Sequence, residues 1–386
     1  MSELKNTMSQ LPEPTAPEQA YSQQLKQIII QKIQQAGGAI PFAEFMQLAL
    51  YEPQWGYYTG NKHKFGAQGD FITAPELSPL FAQTLARQCQ QVLQKAKHDT
   101  ILEFGAGSGI LAAGLLESLE QLGCLPAQYL ILEVSADLQQ FQRETIGQKV
   151  PHLLERVTWL QALPEQPIKG MVVANEVLDA MPVTKFQVIQ NGIESFYVAV
   201  DENEQFIWQT KNCNDSEIAT LVEKYQLGDG YESEYNPQLK PWVQAIAGCL
   251  DSGVALLIDY GFLQDTYYHP QRSMGTIMCH YKHHAHPDPL MYVGLQDITA
   301  HVNFSAVGDS AIESGLQVVG YSNQAQFLMQ CGLLDIMESI EDKQSKDYFN
   351  YSQQAKVLLM PQEMGEMFKI MALATAEWDM PLLGFR

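Results

Sequence analysis

Ile101-Leu102-Glu103-Phe104-Gly105-Ala106-Gly107-Ser108-Gly109 is a short apolar run that ends in a glycine turn. The run reads as a buried strand, and beyond the turn Leu111, Leu115, Leu119 and Leu122 read as the apolar side of a helix. Glycines let the chain turn tightly between the two elements and let a ligand approach the main chain at the helix N-terminus. Taken alone, such a turn points only to a nucleotide-like ligand, because dinucleotide enzymes carry one too. Three details narrow it. The spacing is Gly-x-Gly-x-Gly, not Gly-x-Gly-x-x-Gly. Glu103 stands just before the turn, where a cationic amino-acid cofactor can use it, and Glu133 ends the next strand, where it suits ribose hydroxyls. Together they point to S-adenosylmethionine, with a ligand-free structural turn as the plain alternative.

Outward from the turn, strands and helices alternate. Tyr129 to Val134, Val157 to Leu160, Met171 to Ala174 and Ala255 to Tyr260 read as further strands, with a helix near Leu138 and Phe141. This alternation predicts an α/β fold with a doubly wound parallel sheet. Lys185 to Gln190 and Ile193 to Val200 flank Asn191-Gly192, a strong hairpin signal. With helix-like residues 215–250 they form an insertion, and Leu316 to Val319 and Phe368 to Leu373 read as two last strands. Upstream, Tyr21, Leu25, Ile28, Ile29 and Ile33 mark a helix stopped by Gly37-Gly38. Pro41 opens a second helix, Trp55 to Phe71 reads as a Gly- and aromatic-rich loop, and one long amphipathic helix is expected from about Pro75. The organisation expected is a disordered polar tail over 1–17, an N-terminal helical or lid region over 18–98, and a ligand-binding domain over 99–386 with its insertion at about 183–250.

Composition sets limits on partners. The 386 residues carry a net charge of -21, which repels phosphate backbones and anionic lipid, and no Lys/Arg cluster offsets it. Neither nucleic acid nor membrane is therefore expected as a partner. No run approaches the roughly 18 apolar residues of a membrane span. The six cysteines are scattered without a Cys-x-x-Cys pair, as in a reducing compartment. Residues Met1 to Pro17 have neither signal-peptide nor transit-peptide composition, and a cytoplasmic protein is the expectation. Oligomeric state stays open.

Longer motifs surround the turn. They are Pro53-Gln54-Trp55-Gly56-Tyr57-Tyr58, Gly69-Asp70-Phe71-Ile72-Thr73-Ala74-Pro75-Glu76-Leu77-Ser78, Asn175-Glu176-Val177-Leu178-Asp179-Ala180-Met181-Pro182, Leu257-Ile258-Asp259-Tyr260-Gly261 and Gly294-Leu295-Gln296-Asp297-Ile298-Thr299-Ala300-His301-Val302-Asn303-Phe304. On these the chain resembles the class I S-adenosylmethionine-dependent methyltransferases and, within them, the MidA family, whose mitochondrial members act in assembly of respiratory complex I. The resemblance covers the chain from about residue 25 onward, with Asn303 where Asp is common. It implies a seven-stranded Rossmann-like methyltransferase sheet with an N-terminal helical lid and an α+β insertion after strand four. It also implies a protein substrate, because the mitochondrial relatives are similar to enzymes that make symmetric dimethylarginine. A small-molecule O- or N-methyltransferase, or an assembly factor that binds S-adenosylmethionine and works by holding a partner, are the alternatives. A dehydrogenase is disfavoured by the glycine spacing and by Glu103.

Methyl transfer needs orientation and exclusion of water more than covalent help. Carboxylates can grip a guanidinium by forked hydrogen bonds and leave another of its nitrogens more nucleophilic. Glu176 and Asp179, just after strand four, are the candidate carboxylates, and Asp179 has a competing reading as a helix cap. His301 follows Asp297 by four residues, so on a helix Asp297 orients it as a base; a satisfied core histidine is the alternative. For the cofactor the candidates are Glu103, Gly105, Gly107, Gly109, Glu133, Thr73, Pro75, Asn175 and Tyr58. Tyr57, Tyr58 and Phe71 are the aromatics of a covering lid, while Thr73, Pro75 and Glu76 also suit a helix start. Cys279, His280, His283, His284 and His286 invite a zinc reading, with Cys279 and His283 spaced for a helix, but no second ligand pair supports it and no metal is expected.

Overall fold

A computed structural model describes residues 11–60, 73–97 and 99–386. The chain divides into two compact units. One comprises Met1–Phe71, Asp179–Leu239 and Phe262–His301; the other comprises Ile72–Leu178, Lys240–Gly261 and Val302–Arg386.

The second unit holds the sheet. Its strands are β1 (Thr100–Phe104), β2 (Gln128–Leu132), β3 (Val157–Leu160), β4 (Ile168–Asn175), β5 (Leu250–Phe262), β6 (Gln317–Asn323) and β7 (Phe368–Ala374), in the order β6-β7-β5-β4-β1-β2-β3. A two-residue strand at Val302–Asn303 adds to β5. Strands β3, β2, β1, β4 and β5 run parallel. Strand β7 is antiparallel to both β5 and β6, so the seven-stranded sheet is mixed, with a doubly wound parallel part and one antiparallel strand. Every residue of β1 is buried, as in a parallel strand covered on both faces. The order leaves β1 for β2 on one side and β4 on the other, a topological switch point whose carboxyl end is where ligands bind in open α/β sheets.

Helices α1 (Pro79–Lys95), α2 (Ile110–Gln121) and α3 (Ala136–Lys149) belong to this unit. The single helix expected from Pro75 is instead a four-residue helix at Ala74–Leu77 followed by α1. Pro79 is the cause: its ring disfavours helical backbone at the preceding residue, and Ser78 is extended at φ -155 and ψ 135. Ser78 Oγ then accepts the Leu80 N–H at 3.2 Å and caps α1. Leu80, Phe81, Leu85, Cys89 and Val92 of α1 share one core with Ile101 of β1 and Met171 and Val173 of β4. That burial assigns α1 to the sheet-bearing unit, so the boundary expected at 98 falls ahead of α1.

The first unit is built around an antiparallel sheet in the order Ala39–Pro41, Gly192–Val200, Thr184–Ile189, Glu232–Tyr235, with Phe206–Asn212 also paired to Gly192–Val200. The expected hairpin forms with Gln190 and Asn191 as its connecting residues, since Ile189 pairs with Gly192. Residues 215–250 are not all helical: strand Glu232–Tyr235 separates the helices Ser216–Tyr225 and Leu239–Cys249, and only the first helix lies in this unit. Residues 262–301 return to the first unit, an excursion that sequence periodicity did not indicate. They include a three-stranded sheet of His284–His286, Met278–Tyr281 and Asp297–Thr299. The helix Ala16–Gln35 begins inside the expected tail, because the Glu18 carboxylate accepts the Thr15 N–H at 2.7 Å and the Thr15 hydroxyl at 2.9 Å and so anchors the first turn. Among the described residues, no helix is long and apolar enough to cross a membrane.

Candidate functional site

The glycine turn at the carboxyl end of β1 requires its glycines. Gly105, Gly107 and Gly109 all adopt left-handed backbone, with φ of 64, 52 and 83. A Cβ on Gly109 would lie 3.1 Å from the Gln142 Cα, so a side chain there would press on α3. Ser108 Oγ donates to Glu76 Oε1, which ties the turn to the short helix at Ala74–Leu77. Thr73 precedes that helix without a side-chain cap, so the capping role expected of its hydroxyl is absent, and Pro75 is buried in the first turn.

Glu133 lies at the end of β2 with both oxygens engaged from the protein side. Its Oε1 accepts the Ser135 N–H at 2.8 Å and its Oε2 accepts from Gln142 Nε2 at 3.2 Å. Burial raises its pKa above the usual carboxylate value, against the pull of those donors. Val134 beside it is 71% exposed, an unusual position for an apolar side chain.

Glu103 departs from expectation. Its place in a fully buried strand turns the carboxyl into the core, where Oε2 accepts the Tyr129 hydroxyl at 2.8 Å. Burial pushes its pKa up to about 7, with the Tyr129 bond opposing. The carboxyl is thus engaged by a core hydroxyl and does not stand open to a cofactor amine.

At the carboxyl end of β4, Asn175 Nδ2 donates to Glu176 Oε1 at 3.0 Å, and the buried Asn175 Oδ1 has no hydrogen-bond partner among the described residues. Glu176 has φ 53, a left-handed conformation that is uncommon outside glycine and concentrates at functional sites. Its N–H is held by the Ile258 carbonyl at 2.9 Å. Asp259 of β5, fully buried, accepts the N–H groups of Val177 at 3.2 Å, Leu178 at 2.9 Å and Tyr260 at 2.8 Å.

The remaining candidates lie in the first unit. Tyr58 donates to Asp297 Oδ1 at 2.8 Å and stacks on Tyr51 at 5.5 Å. Burial, then the Asp297 charge, holds the Tyr58 hydroxyl well above its usual pKa, with a contribution from Asp179. Asp179 does not cap a helix: the segment after it leads into the strand Thr184–Ile189, and its carbonyl accepts the Ala300 N–H at 2.9 Å. Asp297 lies on a strand, so the one-turn spacing to His301 that the orienting role needs does not exist. His301 instead stacks on Phe262 at 5.1 Å with parallel rings, and its N–H is held by Thr276 Oγ1 at 3.0 Å. Burial, then Arg272, lowers its pKa to about 4. The Cys279 to His286 stretch is a hairpin and not a helix, and no group of three or more metal-ligating residues is assembled among the described residues. Phe71, expected in the lid, lies outside the described residues.

Residues 84–322 match the model of a family described as S-adenosyl-L-methionine-dependent methyltransferases. The chain belongs to this family, the MidA family of methyltransferases. A crystal structure of a COG1565 superfamily member from Burkholderia thailandensis, bound to S-adenosyl-homocysteine, is 41% identical over 97% of both chains, with a TM-score of 0.93. The native form of a COG1565 superfamily protein from the same organism gives 0.90 at the same identity and coverage. The mitochondrial protein arginine methyltransferase NDUFAF7 of Danio rerio is 30% identical over 88% of this chain and 84% of its own, and that of Mus musculus is 30% identical over 87% and 81%. This MidA-family chain is therefore an S-adenosylmethionine-dependent methyltransferase with the class I fold. The mitochondrial names overturn the cytoplasmic expectation. All six cysteines are free thiols, a state that does not identify the compartment.

Sequence reading missed Gln142, Tyr129 and the Ser108–Glu76 pair. Gln142 left a usable signal. It stands between Leu138 and Ile146 at four-residue spacing, a polar side chain on the buried line of a helix.

Proposed function

We propose that this methyltransferase transfers its methyl group to an arginine side chain of a protein. The observation that supports it best is the length of the likeness, 373 aligned residues, to relatives named protein arginine methyltransferases.

S-adenosylmethionine supplies a methyl group carried on a cationic sulfur. The second unit offers what such a ligand needs. The left-handed glycines bare the main chain of the turn at the start of α2. Glu133 keeps lone pairs for the ribose hydroxyls, Val134 offers an apolar face for the adenine, and the unpartnered Asn175 Oδ1 accepts a donor. Thr73 and Pro75 border this turn through the Glu76–Ser108 link. Glu103, bonded to Tyr129, lies in the strand that leads into the turn.

In this reading Glu176 accepts N–H groups of the guanidinium, draws positive charge to one side and leaves the opposite nitrogen more nucleophilic. The first unit carries its own carboxylates, Asp179 and Asp297, with Tyr58 bonded to Asp297. The proton released on methylation passes to solvent.

Lysate of a strain lacking this protein, incubated with purified enzyme and labelled S-adenosylmethionine, tests the proposal. A labelled protein band bearing methylarginine on hydrolysis is the expected result. Label confined to small molecules, or no label at all, would overturn it.

A further inference from the structure

Gln142 is completely buried, and each polar atom of its side chain is engaged. Its Nε2 donates to the Gly107 carbonyl at 3.0 Å and to Glu133 Oε2 at 3.2 Å, while its Oε1 accepts from Trp159 Nε1 at 2.9 Å. These partners belong to three segments: the turn after β1, the end of β2, and β3. An indole nitrogen only donates, so the amide oxygen must face Trp159. The NH₂ group is thereby fixed toward the two acceptors, and the amide cannot flip. Arg143 lies over the Trp159 ring at 4.1 Å and covers the indole that sets this orientation.

We infer that Gln142 is a positioning residue for the cofactor's ribose: it holds the Glu133 carboxylate and the Gly107 carbonyl in the geometry that receives the two hydroxyls. The inference rests on the reading of Glu133 as the ribose ligand. A carboxylate with one oxygen pinned by Ser135 and the other by Gln142 has its remaining lone pairs aimed before the ligand arrives. Such preorganisation removes ordering cost from binding. Loss of the amide leaves the Gly107 carbonyl and the Trp159 N–H without these partners and lets the carboxylate turn.

The test uses Gln142→Met, close in volume and unable to donate, and calorimetric binding of S-adenosylhomocysteine and of its analogue lacking both ribose hydroxyls. Affinity for S-adenosylhomocysteine is expected to fall roughly 10- to 100-fold, while affinity for the analogue changes little. In turnover the KM for cofactor rises and kcat at saturating cofactor is kept. Trp159→Phe, which frees the amide to rotate, is expected to show the same selectivity in smaller degree and carries the test if Gln142→Met does not fold. Equal loss for both ligands, or no loss, would overturn the inference. Glu133→Gln in parallel separates the two readings. If it too fails to distinguish the ligands, the assignment of Glu133 is wrong; if it distinguishes them while the Gln142 variant does not, only the role of Gln142 is.

Discussion

The carboxylate of Asp259 accepts the backbone N–H of Leu178 at 2.9 Å, and with Val177 and Tyr260 it satisfies three N–H groups from two strand ends. Asp259 thus fixes the chain immediately after Glu176. The left-handed backbone of Glu176 persists because its own N–H and those of the next two residues are all held by β5.

Removing that carboxylate should be severe. Asp259→Ala leaves three N–H groups without their acceptor in a fully buried position, and a loss of roughly 3 kcal/mol or more is expected. Urea unfolding measures it. A midpoint within error of the parent would show that water or a neighbour replaces the carboxylate.

Backbone and carboxylate effects at Glu176 can be separated. Glu176→Gly relieves the left-handed φ and should leave stability unchanged or raise it by up to about 1 kcal/mol, while methyl transfer falls. Glu176→Gln keeps the backbone cost and removes the charge, and should also lower kcat with little change in affinity for S-adenosylhomocysteine. Full activity in the Gln variant would remove Glu176 from the reaction.

Glu103 makes stability depend on pH. Its folded pKa of about 7 lies above the unfolded value near 4.5, so the folded state holds the proton more tightly. Its contribution is most favourable below pH 4.5, declines as pH rises to 7, and is a constant penalty above that. Glu103→Gln, neutral throughout, should therefore gain stability relative to the parent between pH 5 and pH 8, by up to about 3 kcal/mol. Melts at the two pH values check this; a constant difference would show that the carboxyl ionises without penalty.

His301 should not charge in the physiological range. With a folded pKa of about 4, its ring signals in a proton NMR titration should stay constant from pH 8 to pH 5.5 and shift only below that. As pH falls from 6.5 toward 4 the unfolded chain takes up a proton that the folded chain refuses, so this histidine removes stability across that window. His301→Gln should flatten that part of the acid limb.

How far the sequence reaches depends on whether a signal is local. Alternating apolar runs and a glycine turn are local properties of backbone sterics and burial, and they sufficed for β1 to β5, the hairpin and the turn itself. The helix break at Ser78 was also local, written in Pro79. Domain boundaries were not. Whether α1 or residues 262–301 join one unit or the other depends on which apolar faces meet across long separations in the chain.

The same division governs the site. Sequence alone placed a tight turn at Gly105 to Gly109, because glycine adopts left-handed backbone without strain. Tertiary structure decided what each acid does. Glu103 and Glu133 are the same residue type at neighbouring strand ends, yet one faces a core hydroxyl and the other is held by Ser135 and Gln142 beside the turn. The direction a side chain takes from a strand, and the partners it meets there, are set by the packing of neighbouring strands and helices, and no spacing in the chain encodes them.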